Sequence, residues 1–162
     1  MILTLFTDAS FYRKSHVSGY GYCLDAKIFG GGKFFTSKST LAEAKAIELS
    51  ISDLIDSGHL NSQTSKIVVY TDCSSIIDAF KMYQSRKILT FNYEHTLELH
   101  EIFDSIQMLL MCVGSKIELR KVVAHSKKVT KNRTLNNHVD NIARHFMRGY
   151  DHKKLLKELN NG

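Results

Sequence analysis

The segment that most limits what this chain can become is KIVVYT, residues 66–71. It is a nearly continuous apolar, β-branched run, and an acidic residue, Asp72, follows at once. Such a run suits a strand covered on both faces, and therefore a sheet with helices packed against it. The flanking sequence supplies those helices. Upstream, Leu41, Ala44, Ile47, Ile51, Leu54 and Ile55 recur at helical spacing over 40–57, with Gly58 as a stop. Thr40 and Glu43 have the spacing of a capping box at its start. Downstream, SSIIDAF opens a helix over about 74–84.

The first third of the chain has a different period. ILTLFT (2–7) is a β-prone run that ends at Asp8. SGYGYCL (18–24) alternates aromatic and small residues, and KIFGGGKFFT (27–36) reads as a partner strand weakened by its three glycines. Asp25 and Ala26 supply the tight turn between them, which makes a three-stranded antiparallel meander. Beyond the 74–84 helix, residues 85–92 read as a loop or short handle carrying Arg86 and Lys87. Residues 93–111 read as a helix and KIELRKVV (116–123) as a last strand. SKKVTKNRTLNN (126–137) reads as a polar, basic loop. The final helix starts near Leu135, with Leu135, Val139, Ile142, Ala143 and Phe146 on one stripe. The order βββαβααβα predicts one α/β domain over 1–149. Its five-stranded mixed sheet has three antiparallel strands, then parallel crossovers, and is flanked by helices. Residues 150–162 read as a charged helical tail.

Composition narrows the function classes. With 162 residues, 43% hydrophobic and 23% charged, the chain can bury one core, and disorder is excluded. There is no proline, so no PxxP ligand or Pro-rich linker. Lys and Arg exceed Asp and Glu by 22 to 16, a net +6 that suits a polyanionic partner as well as plain solubility. Cys23, Cys73 and Cys112 lie far apart, without a CxxC pair, which predicts a reduced, intracellular setting. No basic segment precedes the first apolar run, and IQMLLMCVG is too short to span a bilayer. The expectation is a cytoplasmic monomer without membrane contact, or a nuclear one in a eukaryote. There is no HExxH, Gly30-Gly31-Gly32-Lys33 lacks P-loop spacing, and Asp72 beside Cys73 disfavours a thiolate nucleophile.

The carboxylates carry the functional signal. Asp8 and Asp72 each end a predicted strand, and ligands of α/β sheets bind beyond the carboxyl ends of strands. Glu43 lies in the first turn of the helix after the meander, and Asp140 in the first turns of the last helix. Glu48, a turn further along, is the alternative to Glu43. Carboxylates gathered at one sheet end repel unless cations neutralise them. An all-oxygen donor set favours Mg²⁺ or Mn²⁺, and two such ions clamp an in-line phosphoryl displacement. Each residue also has an ordinary structural use: Asp8 as a turn residue, Glu43 as a capping partner, Asp72 as an N-cap, Asp140 on a solvated face.

TDAS (7–10), AEAKAIEL (42–49), YTDCSSI (70–76) and HVDNIAR (138–144) resemble, in order and spacing, the active-site segments of type 1 ribonuclease H. The resemblance runs over roughly 2–148. It implies a ribonuclease H-like fold and a metal-dependent endonuclease. Such an enzyme cuts the RNA strand of RNA–DNA hybrids and leaves 5′-phosphate and 3′-hydroxyl ends. Matching positions make Asp8, Glu43, Asp72 and Asp140 the ligands of two ions, with Asp8 between them. They make His125, in a loop before the last helix, the histidine that relays protons or helps product leave, with His138 as the alternative.

The resemblance also places Ser39 and Thr40, and Ser10 beside Asp8, where small polar residues touch the RNA strand. Asn136, one turn before Asp140, faces the hybrid or a water at the site. Lys116, Arg120, Lys121, Lys127, Lys128, Lys131 and Arg133 form a basic stretch suited to phosphates, and Tyr12 is placed to stack on a nucleotide. The chain has no Trp, which the family's basic handle usually carries. Two further readings stand beside this one: a nuclease of the same fold acting on other duplex or structured nucleic acid, and a non-catalytic binding module.

Overall fold

The computed structural model describes residues 1–85, 93–122, 131–149, 157, 160 and 161, and of residues 93–95 the backbone alone. Its elements are β1 (Ile2–Tyr12), β2 (Val17–Leu24), β3 (Ile28–Phe35), α1 (Ser39–Asp56), β4 (Lys66–Thr71), α2 (Ser74–Gln84), α3 (Tyr93–Val113), β5 (Lys116–Lys121) and α4 (Lys131–Arg148). The sheet order is β3-β2-β1-β4-β5. β1 to β3 pair antiparallel, and β4 and β5 join in parallel beyond β1. The five-stranded mixed sheet is the one that the element order predicts. Among the described residues, no helix is long and apolar enough to cross a membrane.

Local chemistry explains the turns. Asp25 and Ala26 both have positive φ, 50° and 59°, as a tight hairpin turn between right-twisted strands requires. The Asp25 carboxylate accepts the Thr4 N–H at 2.8 Å, which holds this turn against β1. Four boundaries differ from the reading of periodicity. β1 continues past Asp8 to Tyr12, because β2 goes on pairing with it after β4 has stopped. β5 ends at Lys121, and Val123 lies outside the described residues. α4 begins at Lys131, so 131–137 is helix rather than loop. Its first four residues are polar and show no period, yet nothing among them breaks a helix. Finally, Lys38 is the N-cap of α1 and no side chain caps it, so Thr40 and Glu43 do not form a capping box.

The helices divide between the two faces. α1 packs on β1 and β2 with α2 and α3 beside it, and α4 covers β1, β2 and β3 on the other side. The larger core lies under α1–α3 and includes Leu5, Ile47, Ile51, Ile67, Phe103 and Leu110. The smaller one, Phe6, Cys23, Val122 and Val139, lies on the α4 side. There α4 rests almost directly on the strand backbone. A Cβ added at Gly21 would sit 2.4 Å from the Val139 carbonyl oxygen, and one at Gly19 would sit 2.0 Å from that of Ala143. The glycines thus admit a helix rather than simply weakening a strand.

Candidate active site

The site forms where the parallel pairing of β1 and β4 ends. The last paired residues are Phe6 and Tyr70. β1 then runs on beside β2, with Asp8 opposite Gly21, while β4 stops at Thr71 and the chain turns into α2. This divergence leaves Asp8 and Asp72 close together where the two strands part. Cys73, not Asp72, is the N-cap of α2, so the Asp72 carboxylate is not used in capping. Glu43 enters from α1, in its second turn. One oxygen from each of Asp8, Glu43 and Asp72 lies within 4.8 Å of the others.

Asp140 approaches Asp8 from α4, outside the three-carboxylate group. Asp8 is opposite Gly21, and Gly21 touches Val139, so the close seat of α4 carries the next residue up to Asp8. The Asp140 carboxyl lies near enough to Asp8 to raise its pKa. It is also held by Arg144, one turn on, with Nε at 3.1 Å from Oδ2.

The electrostatics are those of crowded acids. Asp8 is 4% exposed, and its pKa is pushed up to about 8. Burial is the largest cause, followed by the Asp72 charge and the contact with Asp140; the Ala9 N–H, 2.9 Å away, opposes the shift. Glu43 is pushed well above the ordinary carboxylate range, by burial first and then by Asp8 and Asp72. Its Oε2 is sealed from solvent and has no hydrogen-bond partner. Among the described residues, no Lys or Arg pairs with Asp8, Glu43 or Asp72. A sealed, unpartnered carboxylate oxygen inside an all-oxygen cluster fits a divalent cation.

The remaining predicted residues fall as follows. Ser10 is half-buried on β1, two residues past Asp8 on the same side of the strand. Ser39 is exposed and Thr40 half-buried in the first turn of α1, next to Glu43's turn. Asn136 is buried, and its Oδ1 has no partner. Glu48 pairs with Lys45 at 2.9 Å and is not part of the cluster. The His138 ring packs on Phe29 of β3, two strands from Asp8. Arg120 is tied to Glu118 at 2.8 Å, which occupies a group expected to be open to phosphate. His125, Arg86, Lys87, Lys127 and Lys128 lie outside the described residues.

Sequence reasoning missed three contributors. Arg144 was signalled only by its i,i+4 spacing from Asp140. The seating of α4 was signalled only by glycines standing opposite each other in β2 and β3. Cys73 lies close enough to Glu43 to add to its shift, and gave no signal beyond its place after Asp72.

Residues 2–148 match the RNase H family. No curated protein sequence matches the chain. Solved structures with a similar fold include RNase H1 from the halophilic archaeon Halobacterium salinarum, 14% identical with a TM-score of 0.63, covering 92% of this chain and 99% of that one. Another is the N-terminal RNase H domain of a Mycobacterium tuberculosis protein, solved as a fusion with maltose-binding protein. It is 13% identical with a TM-score of 0.62, covering 91% of this chain and 94% of that one.

Proposed function

The chain belongs to the RNase H family as a type 1 ribonuclease H, and from that premise we propose that it hydrolyses the RNA strand of RNA–DNA hybrids with two divalent cations. The observation that carries this reading is the Asp8–Glu43–Asp72 cluster with the sealed, unpartnered Glu43 oxygen. Asp8, Glu43, Asp72 and Asp140 are the residues that would hold the ions. Asp8 is the centre of the set, because it meets Asp72, Glu43 and Asp140. When bound, a pair of Mg²⁺ or Mn²⁺ ions activates the attacking water and stabilises the departing 3′ oxygen, which leaves 5′-phosphate and 3′-hydroxyl ends.

The chain's own residues set the rest. Arg144 fixes the Asp140 carboxylate against Asp8. Asn136, one turn earlier on α4, would present its amide to the hybrid or to a water at the site. Ser10, two residues past Asp8, and Ser39 and Thr40, in the turn before Glu43, would offer hydroxyls to the RNA strand. His125 is assigned the role of proton relay. The domain that does this work spans 1–149.

The test is cleavage of end-labelled RNA–DNA, RNA–RNA, DNA–DNA and single-stranded RNA, with Mg²⁺, Mn²⁺ or chelator. Cutting confined to the RNA of the hybrid, lost with chelator and in Asp72→Asn, is expected. Cutting of another duplex would change the substrate and keep the site. No cutting, with no stabilisation by either metal, would overturn the reading.

A further inference from the structure

The strand register places three rows of side chains on the α4 face of β1, β2 and β3. The first row is Asp8, Gly21 and Gly31, the second Ser10, Gly19 and Lys33, the third Tyr12, Val17 and Phe35. α4 closes over the glycines of the first two rows. The third row lies beyond that cover. Tyr12 is 47% exposed and Phe35 is 74% exposed. Two large aromatic side chains open to solvent on one sheet face, about 10 Å apart across β2, call for an explanation that a lone exposed apolar residue does not.

The charges next to them along the chain are of one sign. Arg13, Lys14, Lys33 and Lys38 surround the row and are exposed or half-buried, and residues 9–42 contain one acid, Asp25. Asp25 lies in the turn at the opposite end of these strands. The row also continues the line of Asp8 and Ser10 along β1. Tyr12 is four residues past Asp8, about 13 Å at the rise of a strand.

We infer that the Tyr12–Val17–Phe35 row is a stacking platform for unpaired nucleotides, DNA or RNA, that flank the duplex held at the carboxylates. Bases inside a duplex are stacked on each other and cannot present a free face to a flat aromatic row, whereas unpaired bases can. The lysines and Arg13 then meet the phosphates of the same strand. The inference rests on the carboxylate end being a hybrid-cleaving site. It adds that a hybrid with a single-stranded extension is held better than a blunt one.

The experiment measures affinity by fluorescence anisotropy in chelator at fixed salt. The probes are a short blunt RNA–DNA hybrid and the same hybrid carrying about eight unpaired thymidines or uridines, a length within the range such platforms hold. The extended probes should bind about tenfold tighter than the blunt one, the size that base stacking on exposed rings supplies. Phe35→Ser should remove most of that advantage, and Tyr12→Ser should do so while Tyr12→Phe keeps it. Phe35→Ser should keep wild-type affinity for the blunt hybrid and its melting temperature, because the ring is exposed. The two extension chemistries show whether DNA or RNA is preferred.

Equal affinity for blunt and extended probes would overturn the platform. So would an advantage that survives both serine variants and vanishes in Arg13→Ser, which would make it charge alone. Blunt-hybrid cleavage read in parallel separates the two claims. Cleavage without an extension effect leaves the nuclease reading standing alone. A Phe35-dependent extension effect without cleavage removes the nuclease reading and leaves only a binding platform for unpaired bases beside a hybrid-binding, non-cleaving site.

Discussion

The two faces of the sheet are packed in different ways. Under α1–α3 large side chains interdigitate: Ile47, Ile51, Leu54, Phe103 and Leu110 are all fully buried against Leu5 and Ile67. Under α4 a few side chains suffice, because Gly19, Gly21 and Gly31 let helix and strands approach closely. Side-chain packing holds much apolar area and can relax around a change. Contact of a helix with strand backbone has little slack, and it fixes position. The carboxylates follow this division. Glu43 comes from the thick side, and Asp140 from the thin one, carried against Asp8 by the closeness of α4. The first face chiefly supplies stability and the second chiefly registration.

The largest effect separates chemistry from both. Asp72→Asn should lower cleavage at least about a thousandfold, as losing several kcal/mol of charge stabilisation implies, while its thermal unfolding stays at or above wild type. Unfolding of that variant would mean that Asp72 holds the fold rather than the reaction. Next is the thick face. Leu110→Ala on α3 should cost about 2–5 kcal/mol of stability by cavity formation, yet leave the rate of the folded protein near wild type. A rate loss well beyond the loss of folded protein would show that α3 packing sets the site.

Acidity gives the third effect. The Asp8 pKa is raised, so its protonated form contributes stability that is fully present below about pH 4 and is lost as pH rises through about 8. The Glu43 shift acts in the same direction. In chelator, Asp8→Asn should therefore gain on wild type as pH rises from 4 to 8. The gain is on the order of several kcal/mol, since a pKa unit is worth about 1.4 kcal/mol. Saturating Mg²⁺ should return the advantage to wild type. Parallel melting curves across that range would contradict a crowded, cation-seeking cluster. The thin face follows. Gly21→Ala puts a methyl 2.4 Å from a helix carbonyl and should cost about 1–3 kcal/mol. Unlike Leu110→Ala, it should also slow cleavage by folded protein, because Asp140 moves away from Asp8. Equal rates in the two variants would erase the distinction between the faces.

What the chain disclosed follows the same physics. KIVVYT and Asp72 were legible because burial on both faces of a strand demands a continuous apolar run. The Asp25–Ala26 turn was legible because few sequences fill so short a hairpin. Asp8, Glu43 and Asp72 stood out in the sequence near predicted element ends and the fold brings them together, though Asp8 falls inside β1 and Asp140 mid-way along α4. The start of α4 was not legible, since Lys131, Asn132, Arg133 and Thr134 include no apolar residue to mark a helical period. Nor was the length of β1, which depends on which neighbour goes on pairing after Phe6. The role of the glycines was hidden for a related reason. A missing side chain looks the same in sequence whether it loosens a strand or receives a helix, and only the partner decides.

Arg144 gives the smallest effect and the sharpest view of registration. Its contact with Asp140 is a half-exposed i,i+4 pair, so Arg144→Ala should cost only about 0.3–0.5 kcal/mol of stability. If the seat of α4 alone places Asp140, cleavage should hardly change, and Gly21→Ala should remain the damaging variant. If Arg144 is needed to turn the carboxylate toward Asp8, cleavage should fall severalfold while stability barely moves. Arg144→Lys should then recover only part of the loss, because a single ammonium cannot reproduce the planar guanidinium contact. The geometry favours this second outcome. Asp140 is half-exposed, and its approach to Asp8 becomes repulsive once Asp8 ionises. At that point the helix backbone still fixes where the Asp140 Cα sits, but Arg144 becomes the contact left to orient its oxygens.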